Sequence, residues 1–236
     1  MKTKRSKRYT SLLKNSKKDK PGDIEEIITK VKSNCNAKFD ESIDLSIFLN
    51  LKQKKEEASL RTLANLPYGN GKKIKVAVLC EESKIKEAKD SGADLFDFED
   101  LTKKINAGKI IFDKLVATPA IMPKIGKLGK ILGPKNLMPN PKLGTVTDNV
   151  DAAVKSIKSG QIEIKNDKDG NISASIGRKS FTDSKIKENY ESFKQTILKE
   201  KPTNIKGDFI ISAFLTSNMG VGKLALGRNW LFDPGG

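Results

Sequence analysis

At 236 residues the chain has room for two modest domains, and its 45 Lys and Arg against 29 Asp and Glu leave a formal charge of +16. That balance points to a polyanionic partner. Histidine is absent, which removes the commonest general base and the commonest metal ligand and so argues against an enzyme.

The first twenty residues, MKTKRSKRYTSLLKNSKKDK, carry nine basic side chains and one acid, Asp19. They lack the apolar stretch of a secretory signal, and the apolar face of Tyr9, Leu12 and Leu13 is narrow for a mitochondrial presequence. Two readings stand for them: an arm that clamps phosphates, and a solvated helix end. From Pro21 the periodicity is helical, with Ile24, Ile27, Ile28 and Val31 on one stripe and Asp23 placed to cap it. ESIDLSIFLNL then alternates through Ile43, Leu45, Ile47 and Leu49, the period of a half-buried strand. The polar KQKKEEASLRT after it reads as a surface connection.

Past Tyr68 the pattern changes. KIKVAVLC is a compact apolar strand, Ser83 to Ser91 a helix, ADLFD a short second strand, FEDLTKKINAG a helix ending at Gly108, and FDKLVATP a third strand. Strands alternating with helices at this spacing predict a small α/β domain with a mostly parallel sheet. TDNVDAAVKSIKSG closes it as a helix, with Thr147 or Asp148 as cap and Val150, Val154 and Ile157 inward. Beyond Gly160 the grammar is antiparallel again. QIEIKNDKDGNISASIG reads as a hairpin turning at Asp167–Gly170, and SFTDSKIKENYESFKQTILKEKP as a helix capped by Thr182 with Ile186, Tyr190, Phe193 and Ile197 inward. GDFIISAFLTSNMGVG is a strand running into a glycine-rich tip. Strands on both sides of the central unit are most simply placed in one sheet, which makes the central unit an insertion. Glycines at 69, 71 and 160 mark the two crossings as a hinge.

Between Met122 and Gly144 stand four prolines, five lysines and no acid. Prolines at 123, 134, 139 and 141 are expected to keep the segment out of helix and central strand. Its lysines (Lys124, Lys127, Lys130, Lys135 and Lys142) then meet an anion without local competition. Each Gly-Lys pair lacks the Ser or Thr of a phosphate loop, and GNGKKI precedes a strand instead of following one. Cys35 and Cys80 lack metal or redox spacing and read as free thiols. No catalytic residue, metal site or cofactor is expected. No apolar run approaches the roughly 20 residues of a membrane span.

GKILGPKNLMPNPKLGTVTDNV, ANLPYGNGKKIKVAV, NAKFDESIDL and TSNMGVG occur here in the order and spacing of one family. From about Lys7 to Gly222 the sequence resembles the bacterial form of the ribosomal protein L-one family, the proteins of the large subunit's mobile stalk. The resemblance implies two domains. One is a discontinuous α+β sheet domain of residues 1–67 and 160–236, which holds ribosomal RNA. The other is an inserted three-layer Rossmann-like α/β domain of residues 68–159, which faces deacylated tRNA near the exit site. Lys38, Phe39, Glu41, Ser42, Thr216, Ser217, Met219 and Gly220 match the family's RNA-contact motifs. The five lysines of the proline run are then the tRNA-facing candidates. The family usually has Thr before the Met-Gly pair, where Asn218 stands here, and LALGRNWLFDPGG matches no part of its pattern. The resemblance further implies a protein that is monomeric outside the ribosome, works on cytoplasmic or organellar ribosomes, assists tRNA release and represses its own mRNA through a leader that mimics the ribosomal site. A nucleotide-using α/β enzyme and a generic basic RNA chaperone are the rival readings.

Overall fold

The computed structural model describes residues 6–16, 22–51, 60–81, 84–201, 208–220 and 224–226, with backbone alone at 14–16. It divides into two compact units, residues 1–71 with 162–236, and residues 72–161. Among the described residues no helix is long and apolar enough to cross a membrane.

The first unit begins with α1 (Lys7–Ser16) and α2 (Ile24–Asn34). Ile24, Ile27, Ile28 and Val31 of α2 are buried as their spacing predicts, and β1 (Ser42–Leu49) buries Ile43, Leu45, Ile47 and Leu49. β1 pairs antiparallel with both β6 (Asn171–Arg178) and β7 (Ile210–Ser217), and β7 pairs with β8 (Leu224–Ala225). The sheet order is therefore β6-β1-β7-β8, with a strand from before the second unit between two from after it. α2 and α8 (Asp183–Lys199) cover one face. Thr182 stands at the N-cap of α8, and Ile186, Tyr190, Phe193 and Ile197 enter the core.

Two features of this unit depart from the sequence reading. The polar stretch after β1 ends in a strand, β2 (Arg61–Asn65), whose partner is β5 (Gln161–Lys165). The turn at Asp167–Gly170 is present, with Gly170 at φ +85° and Asp167 accepting from the Asp169 and Asn171 amides. Its two arms keep one antiparallel bridge beside the turn, Asn166 to Ile172, and then separate: β5 joins β2 and β6 joins β1. Local alternation fixes a strand's faces and leaves its partner open.

The second unit is built on β3 (Val76–Leu79) and β4 (Lys114–Ala117), paired in parallel. Their side chains alternate between two apolar clusters. Ala77, Leu79, Leu115 and Ala117 face α4 (Phe98–Asn106) and residues 121–132, while Val76, Val78 and Val116 face Ala88 of α3 (Ile85–Asp90) and α7 (Val150–Lys158). Val76–Leu79 and Leu115–Ala117, buried on both faces, give the short continuous apolar runs expected of parallel strands, with Lys114 half-buried at the start of β4. The predicted strand ADLFD is only a single bridge, Leu95 to Ala77. The cap of α7 is Asn149, which accepts from the Ala152 amide at 3.1 Å, while Thr147 accepts from the Asn149 amide.

The proline run overturns its prediction. It contains α5 (Met122–Gly126), α6 (Gly129–Leu132) and a one-turn 3-10 segment at Pro141–Leu143, and another such segment, Pro119–Ile121, leads into it. Pro119, Pro123 and Pro141 sit in the first turns of their segments. There the missing N–H has no partner to lose and the fixed φ suits the helix. Ile125, Leu128, Leu132 and Leu143 are buried, so the run has an apolar inside as well as a basic outside.

Candidate nucleic-acid interface

At one end of the first unit two distant segments meet. Residues 37–42 lead into β1, and residues 216–220 leave β7. The register sets Ile43 against Ser217, so the loop before β1 lies beside the loop after β7.

Glu41 joins them. It is fully buried, one carboxylate oxygen accepting from the Ala37 amide at 2.8 Å and the other from the Met219 amide at 3.2 Å. Its carbonyl accepts from the Lys179 amide at 2.9 Å, and the Ser42 carbonyl from the Asn218 amide at 3.1 Å. A buried carboxylate is tolerated only when hydrogen-bonded, and here its bonds hold two chain reversals together. Glu41 was expected to touch RNA; its place in the structure is behind the loops.

The side chains that these bonds present are unusual for a strand end. Phe39 is 49% exposed and Met219 47%, so neither belongs to the core. Lys38 is exposed, Ser42 and Thr216 are half-buried, and the Ser217 side chain turns inward. The Ser217 hydroxyl faces the Cys35 thiol without a hydrogen bond of standard geometry. A Cβ on Gly220 would stand 2.1 Å from that hydroxyl, so any larger residue there forces the Ser217 side chain to turn away. Burial pushes the Cys35 thiol up, which makes it a poor nucleophile. The tip's chemistry is an apolar platform with hydroxyls, backbone and a lysine at its rim, suited to an exposed base and its 2′-hydroxyl.

Two contributors escaped the sequence reading. Arg8 of α1 donates to the Met219 carbonyl at 3.3 Å, and Leu12 of the same helix is buried. This part of the basic N-terminus is thus a docked helix beside the tip; residues 1–5 and 17–21 lie outside the described residues. Asn189, within the apolar stripe of α8, is also fully buried. It accepts from the Tyr68 amide and donates to the Gly69 and Ile176 carbonyls, fixing the chain where it leaves this unit. A polar residue inside an amphipathic stripe was the available signal for Asn189. Nothing local marked Arg8.

The second unit carries the other candidates. Lys124, Lys127, Lys130, Lys135 and Lys142 are all exposed, and Lys124 lies over the Phe98 ring at 5.7 Å. Asn140 caps the last short turn by accepting from the Lys142 amide at 2.9 Å, and Gly144 ends it in the left-handed region at φ +59°. Among the described residues no cluster of acids and cysteines has metal-binding geometry.

The family model "Ribosomal protein L1p/L10e family" matches residues 31–221. A "Large ribosomal subunit protein uL1" from Pelagibacter ubique is 52% identical over 225 residues, covering 94% of this chain and 98% of that protein. The proteins of the same name from Thermosipho africanus (44% over 220 residues, 93% and 95% covered) and Prochlorococcus marinus (45% over 215, 91% and 91%) are similar over nearly their full length. With a match across both units and half of all aligned residues shared with one relative, the chain belongs to the ribosomal protein L1p/L10e family.

Proposed function

We propose that this protein is a structural component of the large ribosomal subunit that binds ribosomal RNA through the tip of its discontinuous unit. The observation that carries the reading is the Glu41 brace, which ties the loops of Phe39 and Met219 together at one end of the unit while both side chains stay out of the core. Leaving two large apolar side chains half exposed has no value for folding, and it suits contact with an unstacked base. Lys38, Ser42, Thr216 and Gly220 complete that surface, while Glu41 and Ser217 shape it from behind.

In this reading the two units are separate domains, and the second is a Rossmann-like three-layer insertion. Its lysine-bearing helices face tRNA at the exit site and assist its release. The protein also represses its own mRNA, whose leader offers the tip the same RNA shape. It is monomeric away from the cytoplasmic ribosome and uses no cofactor. The absence of histidine and of any phosphate-loop signature places the nucleotide-enzyme reading behind this one.

The test is crosslinking in intact cells followed by sequencing of the bound RNA. Recovery dominated by one site in large-subunit ribosomal RNA, with a second site in the protein's own mRNA, is expected. Dispersed recovery across many RNAs favours a generic chaperone. Saturable ATP or NAD binding in calorimetry favours the enzyme.

A further inference from the structure

The open face of the four-stranded sheet carries aromatic side chains that the tip does not account for. β1 sends its inward row into the core and turns Ser42, Asp44, Ser46 and Phe48 to the other face. The register places Phe48 opposite Asn171 and Ser212, Ser46 opposite Ser173 and Phe214, and Asp44 opposite Ser175 and Thr216. The Ser46 and Ser173 hydroxyls meet at 3.1 Å, so these rows share one face. A depression of about 270 Å³ opens there, lined by Ser46, Ile47, Phe48, Asn171, Phe214 and Thr216. Phe48 is 36% exposed at the end of an otherwise polar row.

We infer that this depression is a stacking platform for an unpaired nucleobase of the same RNA that the tip holds; the inference rests on the RNA-binding reading above. Continuity supports it first. Thr216 belongs to the tip and also lines the depression, and Ser42 heads the row that ends at Phe48. At about 3.3 Å per residue, that row carries the surface roughly 20 Å from the tip. Chemistry supports it second. Aromatic faces stack on any base, and the Ser46 and Thr216 hydroxyls and the Asn171 amide can reach base edges or 2′-hydroxyls. The Asp44 carboxylate on the same face repels a phosphate and accepts from base amino groups, so it favours a base over the backbone. Size supports it third. The volume lies just under the roughly 300 Å³ at which pockets for whole small molecules begin, and so suits one base.

The test titrates the full chain with transcribed large-subunit ribosomal RNA. Phe48→Ala with Phe214→Ala should weaken binding about tenfold, equivalent to about 1.4 kcal/mol, with the thermal midpoint unchanged. Phe48→Tyr with Phe214→Tyr should restore it, because the ring faces return. The slope of log affinity against log salt should stay as in the parent, since every phosphate-facing cation remains. With 4-thiouridine in the RNA, crosslinks should fall on residues 46–48 or 212–214, away from the tip. Unchanged affinity with no crosslink in either strand overturns the proposal. Phe39→Ala with Met219→Ala separates it from the reading beneath. If only that pair loses affinity, the tip stands and the platform falls; if neither pair does, the tip reading fails and the platform with it. Should the double Phe variant melt early, Phe48→Ala alone decides, a threefold or greater loss supporting the platform and no loss overturning it. Intact RNA binding combined with loss of concentration-dependent self-association in light scattering marks the face as a protein interface and overturns it as well.

Discussion

The tip of the discontinuous unit and the proline run of the second unit are the two surfaces we propose for an anionic polymer, and they are built on opposite plans. The tip uses one buried carboxylate to hold backbone amides from positions 37 and 219, and it exposes apolar side chains. The run buries apolar side chains on short helical segments, two of them started by proline, and exposes lysines. A surface that must recognise a shape needs fixed backbone and contact area. A surface that must tolerate many sequences needs charge on a firm support.

Glu41→Ala tests that contrast most severely. It strips two part-buried amides of their acceptor, at no more than about 1–3 kcal/mol for each unsatisfied group. Affinity for ribosomal RNA should fall by more than tenfold and the thermal midpoint should drop, both read from one titration and one melt. Glu41→Gln, which keeps an acceptor, should fall between Ala and the parent. Equal RNA binding by the Ala variant would mean that the brace does not shape the site.

Phe39→Ala with Met219→Ala should lower affinity by about tenfold or more at an unchanged midpoint, since base stacking on an aromatic side chain such as Phe39 contributes about 1–3 kcal/mol per base. An early melt with normal binding by the folded fraction would return both residues to packing.

Lys127→Glu or Lys142→Glu should leave ribosomal RNA affinity within about twofold. Either should lower the salt slope for tRNA by about 0.7–0.9 for each phosphate no longer neutralised. Abolished ribosomal RNA binding in either variant, with the fold intact, would erase the contrast between the units.

The smallest effect is on acid stability. The Asp113 carboxyl is held below the usual carboxylate range by a hydrogen bond from Lys72 and the Lys75 amide. For Asp94 burial pushes upward, but the Val76 amide and Lys158 outweigh it and the net shift is downward. A depressed carboxylate pKa contributes stability that is present above the ordinary aspartate range and is lost as pH falls through the lower folded value. Melting of residues 72–161 expressed alone should therefore weaken on acidification, and Asp113→Asn should flatten that dependence. An identical pH profile for the variant would remove Asp113 from the account.

The element pattern was largely legible because burial imposes periodicity. The stripes of α2 and α8 and the alternation of β1 follow from spacing alone and are buried accordingly. What failed was non-local or positional. β2 was hidden because Arg61–Asn65 is half exposed and its partner lies about a hundred residues away. The proline run defied its composition because proline at the first turn of a short helix is favourable, whereas proline in a helix interior is not. The members of the candidate site stand out as motifs in the sequence, but their division between surface and support does not. That Glu41 and Ser217 sit behind the surface and Phe39 and Met219 on it depends on which way each turn faces, and no local spacing encodes that.

The placing of β1 between β6 and β7 has a consequence for how the protein is made. Ile43 pairs with Ser217, so the central strand waits through about 170 further residues of synthesis before its second neighbour exists. At about 5–20 residues per second that is roughly ten to thirty-five seconds, ample time for residues 72–161 to fold as a complete unit first. Glu41 meets the Met219 amide only after nearly the whole chain has emerged. A nascent chain still short of Met219 therefore cannot form the tip, which closes in one late, long-range step.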